Sequence, residues 1–146
     1  MRAVRALLAF LLLPGVIGGL VPWLLYPDDA DFRVSGAVVI AIGLALLLWC
    51  VRDFFVTGRG TLAPWDPPIH LVRVGLYRYS RNPMYVAVTT ILCGWALGFH
   101  STILAAYAVI VAIAFHLRVT LAEEPTLARL FGEEWTRYRT SVRRWL

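Results

Sequence analysis

The sequence predicts an all-α integral membrane helical bundle of about four transmembrane helices, followed by a C-terminal amphipathic interfacial helix. Three observations carry that prediction. The chain is 60% hydrophobic and only 16% charged, with a mean hydropathy of +0.70, far more apolar material than the core of a 146-residue soluble domain takes up. The apolar residues gather into four runs. All 14 basic residues are arginine, and they lie mainly before, between and after those runs, which is the distribution that orients membrane proteins.

The first run covers residues 4–26. It follows Arg2 and Arg5, as the apolar part of a signal peptide would, but it is long enough to span and no small-x-small cleavage site precedes the next polar residues. Pro14, Gly15, Gly18 and Gly19 predict a kink or a close approach by a neighbouring helix. Asp28, Asp29 and Asp31 form an acidic link to the second run, residues 32–51, so the first two helices make a hairpin. Residues 52–82 change character: Gly58-Arg59-Gly60, the stretch Pro64-Trp65-Asp66-Pro67-Pro68, and Arg73, Arg78 and Arg81 describe a connector rather than a helix. The third and fourth apolar runs, residues 83–99 and 102–117, the latter within a helix expected over residues 102–121, are separated by the short turn Gly98-Phe99-His100-Ser101. Both are short for a span, so this second hairpin is expected to tilt or to draw on flanking residues.

In the tail, residues 125–145, Leu127, Leu130, Phe131, Trp135, Tyr138 and Val142 recur at helical spacing among Arg129, Arg137, Arg143 and Arg144. That pattern predicts an amphipathic helix at the bilayer interface. Two arginines precede the first helix, five lie between the second and third and six follow from Arg118, against Arg33 alone in the acidic link. The positive-inside rule therefore places both termini and the connector on the cytoplasmic side of an inner or plasma membrane. The whole of residues 1–146 reads as one domain. The net charge of +5 follows this topological pattern, so no nucleic-acid partner is expected. Cys50 and Cys93 sit inside apolar runs, and with three scattered histidines they give neither a disulfide framework nor a metal-ligand spacing.

Two constellations carry chemistry. The first is Gly75-Leu76-Tyr77-Arg78-Tyr79-Ser80-Arg81-Asn82-Pro83-Met84-Tyr85, just before the third helix. Asn82 suits an N-cap and Pro83 the first helical position, so the positive helix end and the forks of Arg78 and Arg81 would hold a carboxylate or phosphate. The plainer reading is a capped helix with interfacial anchors. The second is Glu123-Glu124-Pro125 at the end of the fourth helix, where the dipole disfavours negative charge and a cation is needed. That cation is either structural, from Arg78, Arg81 or Arg118, or a ligand's ammonium. On a continuous helix His116 shares a face with Thr120 and Glu123; its plainer reading is a solvated interfacial histidine. Together the two constellations suit a zwitterionic amino-acid headgroup, such as that of S-adenosylmethionine.

At these residues the chain resembles the membrane methyltransferases related to isoprenylcysteine carboxyl methyltransferase and phosphatidylethanolamine N-methyltransferase. Gly75-Leu76-Tyr77 followed by Arg81-Asn82-Pro83-Met84-Tyr85 is similar to the family's Gly-x-Tyr and Arg-His-Pro-x-Tyr elements, with Asn82 in place of the carboxyl methyltransferases' histidine. The likeness continues through Leu92 to Ala96, His100-Ser101 and Glu123-Glu124-Pro125. The phospholipid enzymes also carry a Gly-x-Gly in an earlier helix, for which the nearest counterpart here is Ala41-Ile42-Gly43. The resemblance implies S-adenosylmethionine as cofactor, held by Tyr77, Arg81, Asn82, Pro83, Tyr85, Glu123 and Glu124, with His116 and Arg118 as candidate catalytic residues. It implies a lipophilic or lipid-anchored acceptor entering from the bilayer. A carboxylate acceptor needs no base, whereas an amine must lose a proton to His116 or a glutamate. Two other readings stand beside this one: a membrane reductase of related architecture using a nicotinamide cofactor, and a non-catalytic membrane interaction module.

Overall fold

The computed structural model describes residues 11–25, 31–58 and 70–146. The first run enters as a π-type helical stretch, Leu11–Leu20, continuous with the short helix α1, Val21–Leu25; residues 4–10 and 26 of the expected span lie outside the described residues. Next come α2 (Val34–Asp53), a π-type extension at Phe54–Gly58, and a 3-10 turn at Gly75–Arg78. Then follow α3 (Pro83–Phe99), α4 (Thr102–Arg118), a π-type step at Val119–Glu123, and α5 (Glu124–Ser141). The described residues contain no strand, so the all-helical expectation holds. By length and composition two stretches can cross a membrane, Val34–Asp53 and the continuous Thr102–Ser141, while Pro14–Leu25 and Pro83–Phe99 are shorter apolar helices. Only 22% and 28% of the two apolar windows are buried. A core helix of a soluble protein would be mostly covered, and here Val38, Ile42 and Leu48 of α2 and Val109, Ile110 and Ile113 of α4 face outward, consistent with membrane association.

The tightest packing is antiparallel, between α2 and α3. A Cβ on Gly36 would collide with the Gly98 backbone and come within 2.6 Å of Gly94 O, and one on Gly43 would stand 2.9 Å from Ile91 N and 3.0 Å from Ala87 O. The Gly94-x-x-x-Gly98 spacing puts both α3 glycines on one face, which lets two backbones approach without intervening side chains. Gly43 is thus spent on packing. Arg33 N closes the far end by donating to Gly98 O at 2.9 Å. Leu47, Ala87, Val88 and Ile91 fill the core beside this seam.

Pro22 explains how α1 joins the bundle. Having no N–H, it leaves Gly18 O, four residues back, without its α-helical donor. Trp95 Nε1 of α3 donates to Gly18 O at 2.9 Å, and Tyr107 OH of α4 donates to Ile17 O at 3.1 Å. A carbonyl that would be costly to leave bare in an apolar medium is thus satisfied by α3, and α4 ties itself to the same turn.

The turn into α4 is set by His100, at φ 50° the left-handed residue that stops α3, and by Ser101, which accepts from Leu104 N at 3.3 Å. Leu92 packs on Ala108 and Val111, so α3 and α4 also run antiparallel. The end of α2, the start of α3 and the end of α4 consequently meet at one end of the bundle.

Beyond Arg118 the structure departs from expectation. The fourth helix does not stop near residue 121: it continues through the π-type step, where Glu124 N–H reaches Val119 O, into α5. Pro125 cannot donate to Leu121 O, and a widened turn absorbs the loss. Nor is the tail one uninterrupted amphipathic helix over 125–145. Gly132, at φ 51° and ψ −120°, breaks α5, which ends at Ser141, and Val142 is extended. Its apolar face packs on the connector: Trp135 and Tyr138 bury against Leu71, with Leu127, Phe131 and Val142 around them. The strap Val142–Trp145 then folds back, and Arg81 N donates to Arg143 O at 2.9 Å. Within the connector, Gly75 at φ 56° sits against the buried Asp53 carboxylate, where no side chain fits.

Candidate functional site

The two constellations meet as two adjoining clusters. The π-type step turns Glu123 and Glu124 toward different partners. Glu123 Oε1 accepts from Tyr85 OH and from Arg118 Nε at 2.8 Å, and Arg118 Nε also lies 3.1 Å from Tyr85 OH. Both of these bonds to Glu123 fall on Oε1. Tyr85 stands in the first turn of α3, its ring 4.4 Å from that of Phe115 on α4, so helix packing delivers its hydroxyl to the carboxylate.

Glu124 is more deeply set. Arg144 grips it with both arms of its fork, Nε to Oε1 at 2.8 Å and Nη2 to Oε2 at 3.0 Å, the bidentate geometry that makes arginine–carboxylate pairs strong. Arg81 Nη1 stands 3.1 Å from the same Oε1, close enough for an ion pair yet not aligned for a hydrogen bond. Arg81 Nε and Nη1 are buried without a hydrogen-bond partner among the described residues, while the guanidinium lies over the Trp135 ring at 5.5 Å. Burial pulls the Arg81 guanidinium down from its usual value and Glu124 opposes that shift; the hydrogen bond to Glu124 pushes Arg144 up. Three guanidinium groups and two carboxylates leave the combined site with one excess positive charge, and with donors in reserve on Arg81.

The other expected residues fall into place around these clusters. Pro83 occupies the first turn of α3 as anticipated. Asn82 holds the N-cap position but does not cap: its side chain makes no bond to the helix N–H groups and instead donates Nδ2 to Arg144 O at 3.0 Å. Tyr77 presents its carbonyl, not its ring, to the assembly, accepting from Tyr138 OH at 2.7 Å; its phenol is buried with Cys50 and Val72, and that burial raises its pKa well above the usual value. Arg78 is exposed and belongs to neither cluster. The carboxylates do not lie at a helix terminus, and Arg81, Arg118 and Arg144 balance them. His116 does not join Glu123, because the π-type step shifts the register between them. It is exposed, with its ring 6.0 Å from that of Trp145, and Thr120 Oγ1 donates to its carbonyl at 2.8 Å.

His116 and Trp145 stand at an apolar groove of about 550 Å³ between α3 and α4, lined also by Thr89, Thr90, Cys93 and Val109. The hydroxyls of Thr89 and Thr90 bond back to Tyr85 O and Val86 O, each at 2.8 Å, so the lining is effectively hydrocarbon. A charged cluster beside an apolar groove suits one water-soluble and one lipophilic ligand.

Sequence reasoning missed Arg144, Trp135, Tyr138 and Trp145 as site residues. All approach from the tail, and no spacing rule links Glu124 to a residue 20 positions away.

Helical packing and paired charges of this kind define a membrane-associated helical protein with a polar site at one end. Residues 32–134 match the phospholipid methyltransferase family, well over half of the chain, and the protein belongs to that family. Membership implies a methyltransferase acting on lipid-like substrates in membranes. No curated protein and no solved structure matches the chain.

Proposed function

We propose that the protein transfers a methyl group from S-adenosylmethionine to a membrane-embedded or lipophilic acceptor, either the carboxylate of an isoprenylcysteine-like group or the amine of a phospholipid headgroup. The observation that carries the reading is the pairing of the Tyr85–Arg118–Glu123 and Arg81–Glu124–Arg144 clusters beside the apolar groove. Its residues fit the cofactor's headgroup: Arg81 offers buried, unused donors to a carboxylate, and the adjoining Glu123 and Glu124 carboxylates offer acceptors to an ammonium. When bound, the cofactor supplies an electrophilic sulfonium methyl for displacement by the acceptor.

The chain's own work is alignment and exclusion of water. Arg118 fixes Tyr85 and Glu123 together, and Trp135 shields Arg81 from solvent. The groove holds the acceptor's hydrocarbon. For an amine acceptor, His116 at the groove takes the proton released before transfer; for a carboxylate it has no proton to take. In this reading α1 and α3 complete a four-helix membrane unit with α2 and α4, the tail lies at the cytoplasmic interface, and the site opens to the cytoplasm.

The test is incubation of protein-containing vesicles with S-adenosylmethionine labelled in the methyl group. Label should pass into the lipid fraction, alkali-labile if the product is an ester and alkali-stable if it is an amine. Folded protein that transfers no label to any lipid would overturn the proposal.

A further inference from the structure

Adjacent residues of the strap Val142–Trp145 touch two different sites. Arg144 grips Glu124, and Trp145 lines the groove beside His116. The two arginines on Glu124 are not equivalent. The Arg81 side chain is 8% exposed and that of Arg144 is 35% exposed, so Arg81 is the built-in counter-ion and Arg144 the accessible one. A cationic group that takes over Glu124 can replace Arg144 while Arg81 remains, and the carboxylate is never left bare. Apart from its fork, Arg144 is held through its carbonyl, by Asn82 Nδ2 at 3.0 Å and by Ser80 Oγ at 3.4 Å. The second of these is near the limit of a hydrogen bond.

We propose that this strap couples the two sites: a ligand's ammonium at Glu124 displaces Arg144, and the release carries Trp145 away from His116 and opens the groove to a lipophilic chain. The inference rests on the function proposed above. It makes Arg144 and Trp145 positioning residues that favour cofactor uptake before acceptor entry. Linkage makes the effect reciprocal, so a chain that pushes Trp145 aside raises affinity for the cationic ligand by the same factor.

Cys93 reports on the groove, because it is exposed in its lining while Cys50 is fully buried. The full chain in detergent is treated with a neutral maleimide, with and without S-adenosylhomocysteine, and binding is followed in parallel by calorimetry. Bound ligand should speed Cys93 alkylation about twofold, the change expected when a closed and an open form of similar population are driven to the open one. Arg144→Gln should be fast without ligand and unresponsive to it, and Trp145→Ala should behave alike. A ligand that binds while alkylation stays level or slows overturns the coupling and leaves the proposed function standing. A folded Arg144→Gln with the wild-type rate overturns it too. Absence of binding by folded wild-type protein overturns both the coupling and the function. If Arg144→Gln fails to fold, the wild-type comparison with and without ligand still decides.

Discussion

Between α2 and α3 the chain brings backbone to backbone; where α4 runs into α5 it brings charge to charge. The first contact is made by what is missing, the side chains of Gly36, Gly43, Gly94 and Gly98. The second is made by long side chains, from Arg81, Arg118, Arg144 and Tyr85, converging on two adjacent glutamates. The glycine seam tolerates no added atom but asks little of chemistry. The charged end depends on its carboxylates, since a buried guanidinium without its anion costs more than a missing methylene. Close packing thus runs along the α2–α3 seam, while the charged groups gather where α3 begins and α4 passes into α5.

Glu124→Gln should break the comparison most severely. It leaves Arg81 buried without its anion, and the expected loss is about 3–5 kcal/mol, read as a shift in the unfolding midpoint in denaturing detergent. Arg144→Gln, which removes the more exposed partner, should cost clearly less. Equal losses would show that the two arginines share Glu124 evenly. Gly36→Val tests the other end. Its side chain meets the Gly98 backbone, which cannot rotate away, and the expected cost is about 1–3 kcal/mol with no selective loss of ligand binding. Trp95→Phe keeps the packing but orphans Gly18 O, and about 1 kcal/mol should be lost. Tyr85→Phe should change stability least, by about 1 kcal/mol or less, yet it should weaken cofactor binding by disordering Glu123. A stability loss without a binding loss would mark Tyr85 as a packing residue.

The sequence-level reading succeeded where local patterns decide. Hydropathy places α2 and α3 to within two residues, because each is an unbroken apolar run, and Pro83 starts α3 where a proline is cheapest. It failed where one residue's missing N–H is answered from elsewhere. Pro125 reads as a helix stop, but the chain widens by a π-type turn and continues, which rotates Glu123 away from His116. Asn82 reads as a cap, but the carbonyl of Arg144 outcompetes the helix N–H groups for its side chain. The amphipathic stripe of the tail was visible; that it covers Leu71 of the connector was not, because periodicity reveals an apolar face and not what lies against it. Arg144 was invisible as a partner for the same reason.

In the proposed function the paired carboxylates and their arginines hold a zwitterionic cofactor. Calorimetric titration of S-adenosylhomocysteine into detergent-purified wild-type and Glu123→Gln protein tests it most directly, since Glu123 is only half-buried and its substitution should leave the fold intact. Micromolar binding by the wild type is expected, with weakening of about tenfold or more in the variant, equivalent to about 1.4 kcal/mol. Folded wild-type protein that takes up no ligand, or a variant that binds as tightly as the wild type, would contradict it.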